Sequence, residues 1–229
     1  MNFKLYDFDF NNDLQFKDFK SLCLSVENVK VFSDMVKYFK GFCGENKKFC
    51  LFNDRKEEMF LNKDYAVIID LFDFEITSKQ IVGKVIKRLS ERCDKTEEIA
   101  DELNDKKREL FKALYNFLLD FNIEFDYKEE CETEDLFKLF SIVPSKFDDS
   151  LVDKYLNFIE IVCELKLYDL LVLINAKPIF NQKEIEEIQK LSAHKGLNLL
   201  FLENRLSKYF SAYEDNYLID EDLFLTKIG

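Results

Sequence analysis

The chain has 229 residues, 47% of them hydrophobic and including 25 Phe and 10 Tyr, which excludes a disordered chain and suits one large domain or one domain with an insertion. Only five Gly and two Pro are present, so few turns are signalled and long regular elements are expected, with helices dominant. A net charge of −12 opposes non-specific attraction to nucleic acid or anionic membrane; any DNA contact would need a local basic surface with the acids segregated elsewhere, or bound cations.

In chain order, the opening MNFKLYDFDFNND lacks a basic region followed by an apolar run of signal-peptide length. No stretch approaches the roughly 20 apolar residues of a membrane helix, so a cytoplasmic protein is expected. The runs FKLYDFDF and LQFKDFKSLCLSV read as strands, and Glu27 to Phe42 as a helix on Val31, Met35, Val36 and Phe39, ending near Gly41. KKFCLFN is a further strand. The nearly continuous apolar run from Tyr65 to Phe72 reads as a central strand buried on both faces.

From Thr77 the period becomes helical. Ile81, Val85, Ile86, Leu89 and Cys93 form one stripe behind a Thr77/Gln80 capping box, and a second helix runs from about Thr96 to Phe121 on a narrow stripe that includes Ile99, Leu110, Leu114 and Phe117. A short helix around Leu136 to Phe140 follows, then Pro144 and a helix capped by Ser150 and Asp153. The last third alternates: strand Leu170 to Asn175, helix Asn181 to His194 with an Asn181/Glu184 capping box and Gly196 at its exit, and strand Leu197 to Leu202. Strand, helix, strand implies a parallel crossover. The expected architecture is an α/β domain made of 1–76 and 146–229 with a parallel-rich sheet, and a long-helix arm, 77–145, inserted in it.

The sequence is poor in catalytic groups. Asp70 ends a strand as a magnesium-facing acid would, but no G-x-x-x-x-G-K-[ST] accompanies it, and it reads as an acid at a strand exit. The one histidine, His194, falls in the last turn of a helix, where it meets the helix dipole; it marks no nucleophile. Cys23, Cys43, Cys50, Cys93, Cys131 and Cys163 form no C-x-x-C pair and read as buried thiols. The segment Asp120, Asn122, Glu124, Asp126 alternates oxygen-bearing with apolar residues. It is no EF-hand, since Phe125 stands at the turn glycine and Cys131 at the bidentate glutamate. Spacing leaves two readings, a solvated acidic turn, which it favours, and a cation site on an extended segment. Lysines gather at Lys17, Lys20, Lys30 and Lys37, and again at Lys84, Lys87 and Arg88, either as wet faces or as a groove for a duplex backbone; Lys106, Lys107 and Arg108 lie among acids.

Taken in order, VENVKVFSDMVKYF, AVIIDLFDFEI, LLDFNIEFDY, LLVLINAKPIFNQKEIEEIQKLSAHKGLNLLFLENR and YLIDEDLFLTK resemble successive segments of the accessory spacer-acquisition proteins of subtype II-A CRISPR-Cas systems, the ring-forming Csn family, over about Leu22 to Lys227. The resemblance implies a P-loop-NTPase-like α/β head that has lost nucleotide hydrolysis, and a helical leg. It also implies a homotetrameric ring that threads linear double-stranded DNA from its ends and acts in adaptation beside the integrase pair and the effector nuclease. Ca2+ bound by acids of the leg would stabilise the ring. By position the calcium acids fall on Asp120, Asn122, Glu124 and Asp126, with Asn122 standing where relatives often carry an acid. Lys17, Lys20, Lys30, Lys37 and Lys146 are the lysines expected to face DNA. A nucleotide-binding switch and a protein-binding scaffold without DNA are the alternatives.

Overall fold

The computed structural model describes residues 1–5, 13–17, 20–42, 48–128, 131–145 and 150–228. In chain order the elements are β1 (Asn2–Leu5), β2 (Asp13–Gln15), β3 (Ser21–Val26), α1 (Val29–Phe39), β4 (Phe49–Phe52) and β5 (Tyr65–Ile68), followed by α2 (Lys79–Asp94), α3 (Glu97–Leu118) and α4 (Thr133–Leu139). The chain continues through α5 (Leu151–Leu165), β6 (Leu170–Ile174), α6 (Gln182–Lys195), β7 (Asn198–Glu203), β8 (Glu214–Ile219) and β9 (Leu225–Ile228). Two compact units result, Met1–Glu75 with Lys146–Gly229, and Ile76–Ser145.

The first unit is built on a six-stranded sheet in the order β5-β6-β7-β3-β8-β9, parallel except for the last strand. Its middle is apolar on both faces: every residue of β3 and β6 is buried, and all of β7 from Leu199 on. Alternate residues build two cores. Leu22, Leu24, Val26, Val172, Leu200 and Leu202 pack with Met35 and Phe39 of α1 and with a small antiparallel sheet, β2-β1-β4, which supplies Phe3, Leu14 and Leu51. On the other face lie α5 and α6, which pack on each other. There Phe74 meets the rings of Phe158 at 4.7 Å and Tyr155 at 5.6 Å, and Tyr155 meets Phe180 at 5.3 Å.

Local signals place most element ends. Asn28 caps α1 by accepting the Val31 N–H; Ser150 accepts the Asp153 N–H; Asn181 and Glu184 form the reciprocal capping box; Gly196 ends α6 at φ 73°. At α2 the expectation fails, because the N-cap is Ser78, not Thr77, and it makes no side-chain capping bond. The run from Tyr65 is also shorter than expected and does not lie in the middle of the sheet. β5 is an edge strand paired with β6 only, and Ile69 and Phe72 beyond it are exposed. Asp70 explains its end, since Oδ1 accepts the N–H groups of Phe72 and Asp73 at 3.0 and 3.1 Å and turns the chain. The β8–β9 hairpin was not foreseen, nor was the split of LQFKDFKSLCLSV into β2 and β3. Of the described thiols, Cys23 and Cys50 are buried, whereas Cys131 is exposed.

The second unit packs α2 on α4 and α3. Ile81, Val85 and Ile86 of α2 are buried, whereas α3 has no buried residue along its 22 residues. Between the elements, Thr133 donates to Asp94 Oδ1 at 2.6 Å and accepts from Lys107 Nζ at 3.1 Å.

The ring stack of the first unit sets its stability. Phe158→Ala, at a fully buried ring, is expected to cost about 3–5 kcal/mol in urea unfolding. Tyr155→Phe, which strips the hydroxyl that donates to Leu71 O at 3.1 Å, is expected to cost about 1–3 kcal/mol.

Candidate nucleic-acid interface

Helix α1 is amphipathic because its apolar residues recur at helical spacing. Met35, Tyr38 and Phe39 face the core. At 100° per residue the opposite side carries Lys30, Ser33, Lys37 and Lys40, and all three lysines are exposed. Lys37 has a 3.4 Å pair with Asp34; at this exposure such a pair contributes little and leaves the cation available. Lys40, absent from the sequence-based set, belongs to the same face, and its three-residue spacing from Lys37 is the signal that marks it. Lys17 and Lys20 sit on the turn entering β3, where the Lys20 N–H donates to Lys17 O at 2.8 Å, and both are exposed. The structure thus sets Lys30 and Lys37 on one helix face and Lys17 and Lys20 on one turn. Lys146 lies outside the described residues.

In the second unit, Asp120, Asn122, Glu124 and Asp126 follow α3 on an irregular segment and all are exposed. Their apolar neighbours pack: Phe121 meets Phe117 at 5.2 Å and Phe125 at 6.0 Å, and Tyr127 lies 5.6 Å from both Phe111 and Tyr115. The rings hold the segment along α3 and the acids between them stay in water. Among the described residues no three His, Cys, Asp or Glu side chains converge as metal ligands. Calcium takes six to eight oxygens, and these four residues do not form such a cage within one chain. Lys87 and Arg88 are exposed on α2, with Arg88 paired to Glu91 at 2.9 Å. Lys106 and Arg108 pair with Glu109 and Asp105, as their acidic setting implies.

Sequence reasoning missed the most polar interior of the first unit. Lys177, just after β6, is buried and reaches Glu214 Oε1 at 2.7 Å, and Gln189 Nε2 of α6 donates to Glu214 Oε2 at 2.7 Å. Close by, Glu203 at the end of β7 accepts the N–H groups of Ala176 and Lys177 on Oε1 at 3.0 and 3.1 Å. Asn175 Oδ1 in turn accepts the Asn204 N–H at 3.0 Å, so the carboxyl ends of β6 and β7 are joined. Burial pushes the Glu203 carboxyl up to about 7, against the two N–H donors and the charges of Lys177 and Arg205. Burial likewise raises the Cys23 thiol to about 12, so it is no nucleophile at neutral pH. None of these groups had a spacing signal, since they come from five separated segments.

A parallel α/β sheet flanked by helices, with a separate all-helical unit inserted in the chain, defines the class of protein. A family model described as CRISPR-associated protein (Cas_Csn2) matches residues 42–223. The chain belongs to this Csn2 family. It is similar to the CRISPR-associated protein Csn2 of Enterococcus faecalis, with 20% identity over 207 residues covering 90% of this chain and 91% of the relative. It is similar too to the CRISPR-associated protein Csn2 of Streptococcus agalactiae, with 21% identity over 204 residues and 88% coverage of each.

Glu203 gives a pH dependence of stability. Its folded-state value of about 7 lies above the ordinary 4.5, so the folded protein holds the proton more tightly and stability is lost as pH rises through that interval. Between pH 5 and 8 the protein is expected to lose about 2–3 kcal/mol relative to Glu203→Gln in urea unfolding. Parallel pH profiles would show that Glu203 stays ionised when folded.

Proposed function

We propose that the chain is a non-catalytic CRISPR adaptation protein that assembles into a calcium-stabilised homotetrameric ring and takes linear double-stranded DNA from its ends, without reading sequence. The observation that carries this reading is the lysine face of α1. In a chain of net charge −12, Lys30, Lys37 and Lys40 stand together on the side of the helix away from the core, with Lys17 and Lys20 on the turn before β3. Lysines in that arrangement contact phosphates rather than base edges, which supplies affinity without sequence preference. A closed ring would turn such faces inward and the acids outward. Family membership supports the adaptation role, with the integrase pair and the effector nuclease as the proposed partners.

Assembly has its own support. Leu110, Leu114 and Phe117 of α3 are 50%, 55% and 59% exposed, an apolar stripe that a lone chain leaves in water. Calcium enters as a consequence of assembly, with acids contributed from more than one segment or chain. The parallel sheet with helices on both faces supports a P-loop-NTPase-like ancestry for the head. The β3–α1 connection is only Glu27 and Asn28, a carboxylate and a capping side chain, and has no glycine with which to wrap a phosphate. That connection, the structural use of Asp70 and the high thiol pKa of Cys23 support a binding role over catalysis and disfavour the nucleotide switch.

Three experiments test this. Linear duplex is expected to shift in a gel while a covalently closed circle of the same sequence does not, and sedimentation is expected to show a tetramer with calcium that loosens in EDTA; equal binding of both DNA forms removes threading. Replacing Lys30, Lys37 and Lys40 by Ala is expected to lower the slope of log affinity against log salt by about 2–3, roughly one unit for each phosphate that is no longer neutralised. An unchanged slope places the DNA elsewhere.

A further inference from the structure

The carboxyl ends of β6 and β7 open on a cleft of about 270 Å³ whose lining includes Lys177, Glu203, Arg205, Lys208 and Tyr209. In open parallel sheets the space beyond the strand ends is where ligands sit. The charges there do not cancel. Lys177 is neutralised by Glu214 behind it, while Arg205 and Lys208 form no ion pair among the described residues and are exposed.

Glu203 adds a second, independent feature. It is 1% exposed and its Oε1 already accepts two backbone N–H groups, so when the carboxyl is protonated the proton belongs on Oε2. Among the described residues Oε2 has no hydrogen-bond partner. The charged and titratable groups facing Glu203 do not supply an acceptor: Lys177 and Arg205 are cations, Glu214 on β8 is occupied by Lys177, Gln189 and the Ser211 N–H, and the thiol of Cys23 on β3 is held protonated by burial. Glu203 lines the cleft, so its protonated form presents an O–H donor there beside two unpaired cations, an arrangement that suits an acceptor with negative charge. We propose that this cleft is an oxyanion site of the phosphate class, with Arg205 and Lys208 supplying charge and Glu203 donating from Oε2. A carboxylate there would repel the same ligand, so binding is coupled to uptake of one proton by Glu203. The site is separate from the lysine face of α1 and stands or falls without the ring.

The test is a titration of the full chain with sodium sulfate, a dianion that does not itself titrate near neutrality, at constant ionic strength and followed by calorimetry. Saturable binding is expected, about tenfold weaker at pH 8 than at pH 6 because Glu203 titrates near 7. Glu203→Gln, whose amide donates at any pH, is expected to abolish this pH dependence. Arg205→Ala with Lys208→Ala is expected to abolish binding with an unchanged melting temperature, since both side chains are exposed. Competition by inorganic phosphate alone would assign the site to the free ion; competition by a deoxynucleoside 5′-monophosphate as well would assign it to a nucleotide or a strand terminus. The proposal is overturned if sulfate does not saturate, if Glu203→Gln keeps the pH dependence, or if the double alanine variant binds as before.

Discussion

The two-sided burial of β3, β6 and β7 is the constraint on which the first unit depends. A parallel sheet cannot leave either face in water when both are apolar, so each crossover must lay cover over it. Helix α1 and the small β2-β1-β4 sheet cover one face, while α5 and α6 cover the other. The position of the lysine face follows. A helix that buries Met35, Tyr38 and Phe39 must present whatever stands 180° away to water, and in α1 those residues are Lys30, Lys37 and Lys40.

The same cover creates the buried charges. Helix α6 closes over Lys177 and Glu214 and contributes Gln189, and desolvation is tolerated because each ion meets a partner at 2.7 Å. Breaking such a pair would leave an uncompensated buried charge, so the network ties the segment after β6, the start of β8 and the middle of α6 to one arrangement. Glu203 differs. It is paired with neutral N–H groups rather than a cation, and its burial is therefore expressed as a retained proton.

The second unit obeys a different rule. Its long helix α3 has an apolar stripe and no buried residue, so its amphipathic pattern is not satisfied within the described chain. The aromatic residues after it pack back along the helix and leave the acids of the same segment in water. Both features leave apolar and acidic side chains in water within the described chain.

Helix positions, the caps of α5 and α6 though not that of α2, the crossover from β6 to β7 and the lysine clusters were legible from local sequence, because caps and periodicity act over a few residues. Lys40 was within reach of the same spacing argument. The order of the sheet was not: the apolar run at Tyr65 reads like a central strand, and only pairing shows it to be an edge, with β3 placed between β7 and β8, a strand that opens on two acids, Glu214 and Asp215. The acids around Asp120 were legible as a type of residue but not as an arrangement, since alternation does not bring carboxylates together when the intervening rings pack on a helix. Lys177, Glu203, Gln189 and Glu214 had no signal at all. The sequence by itself determined most of the elements, the caps of α5 and α6 and the separation of lysines from core on α1, all of which depend on near neighbours along the chain. The tertiary structure alone decided strand order, which charges are buried, and the cleft at the ends of β6 and β7, because these depend on residues brought together from distant segments.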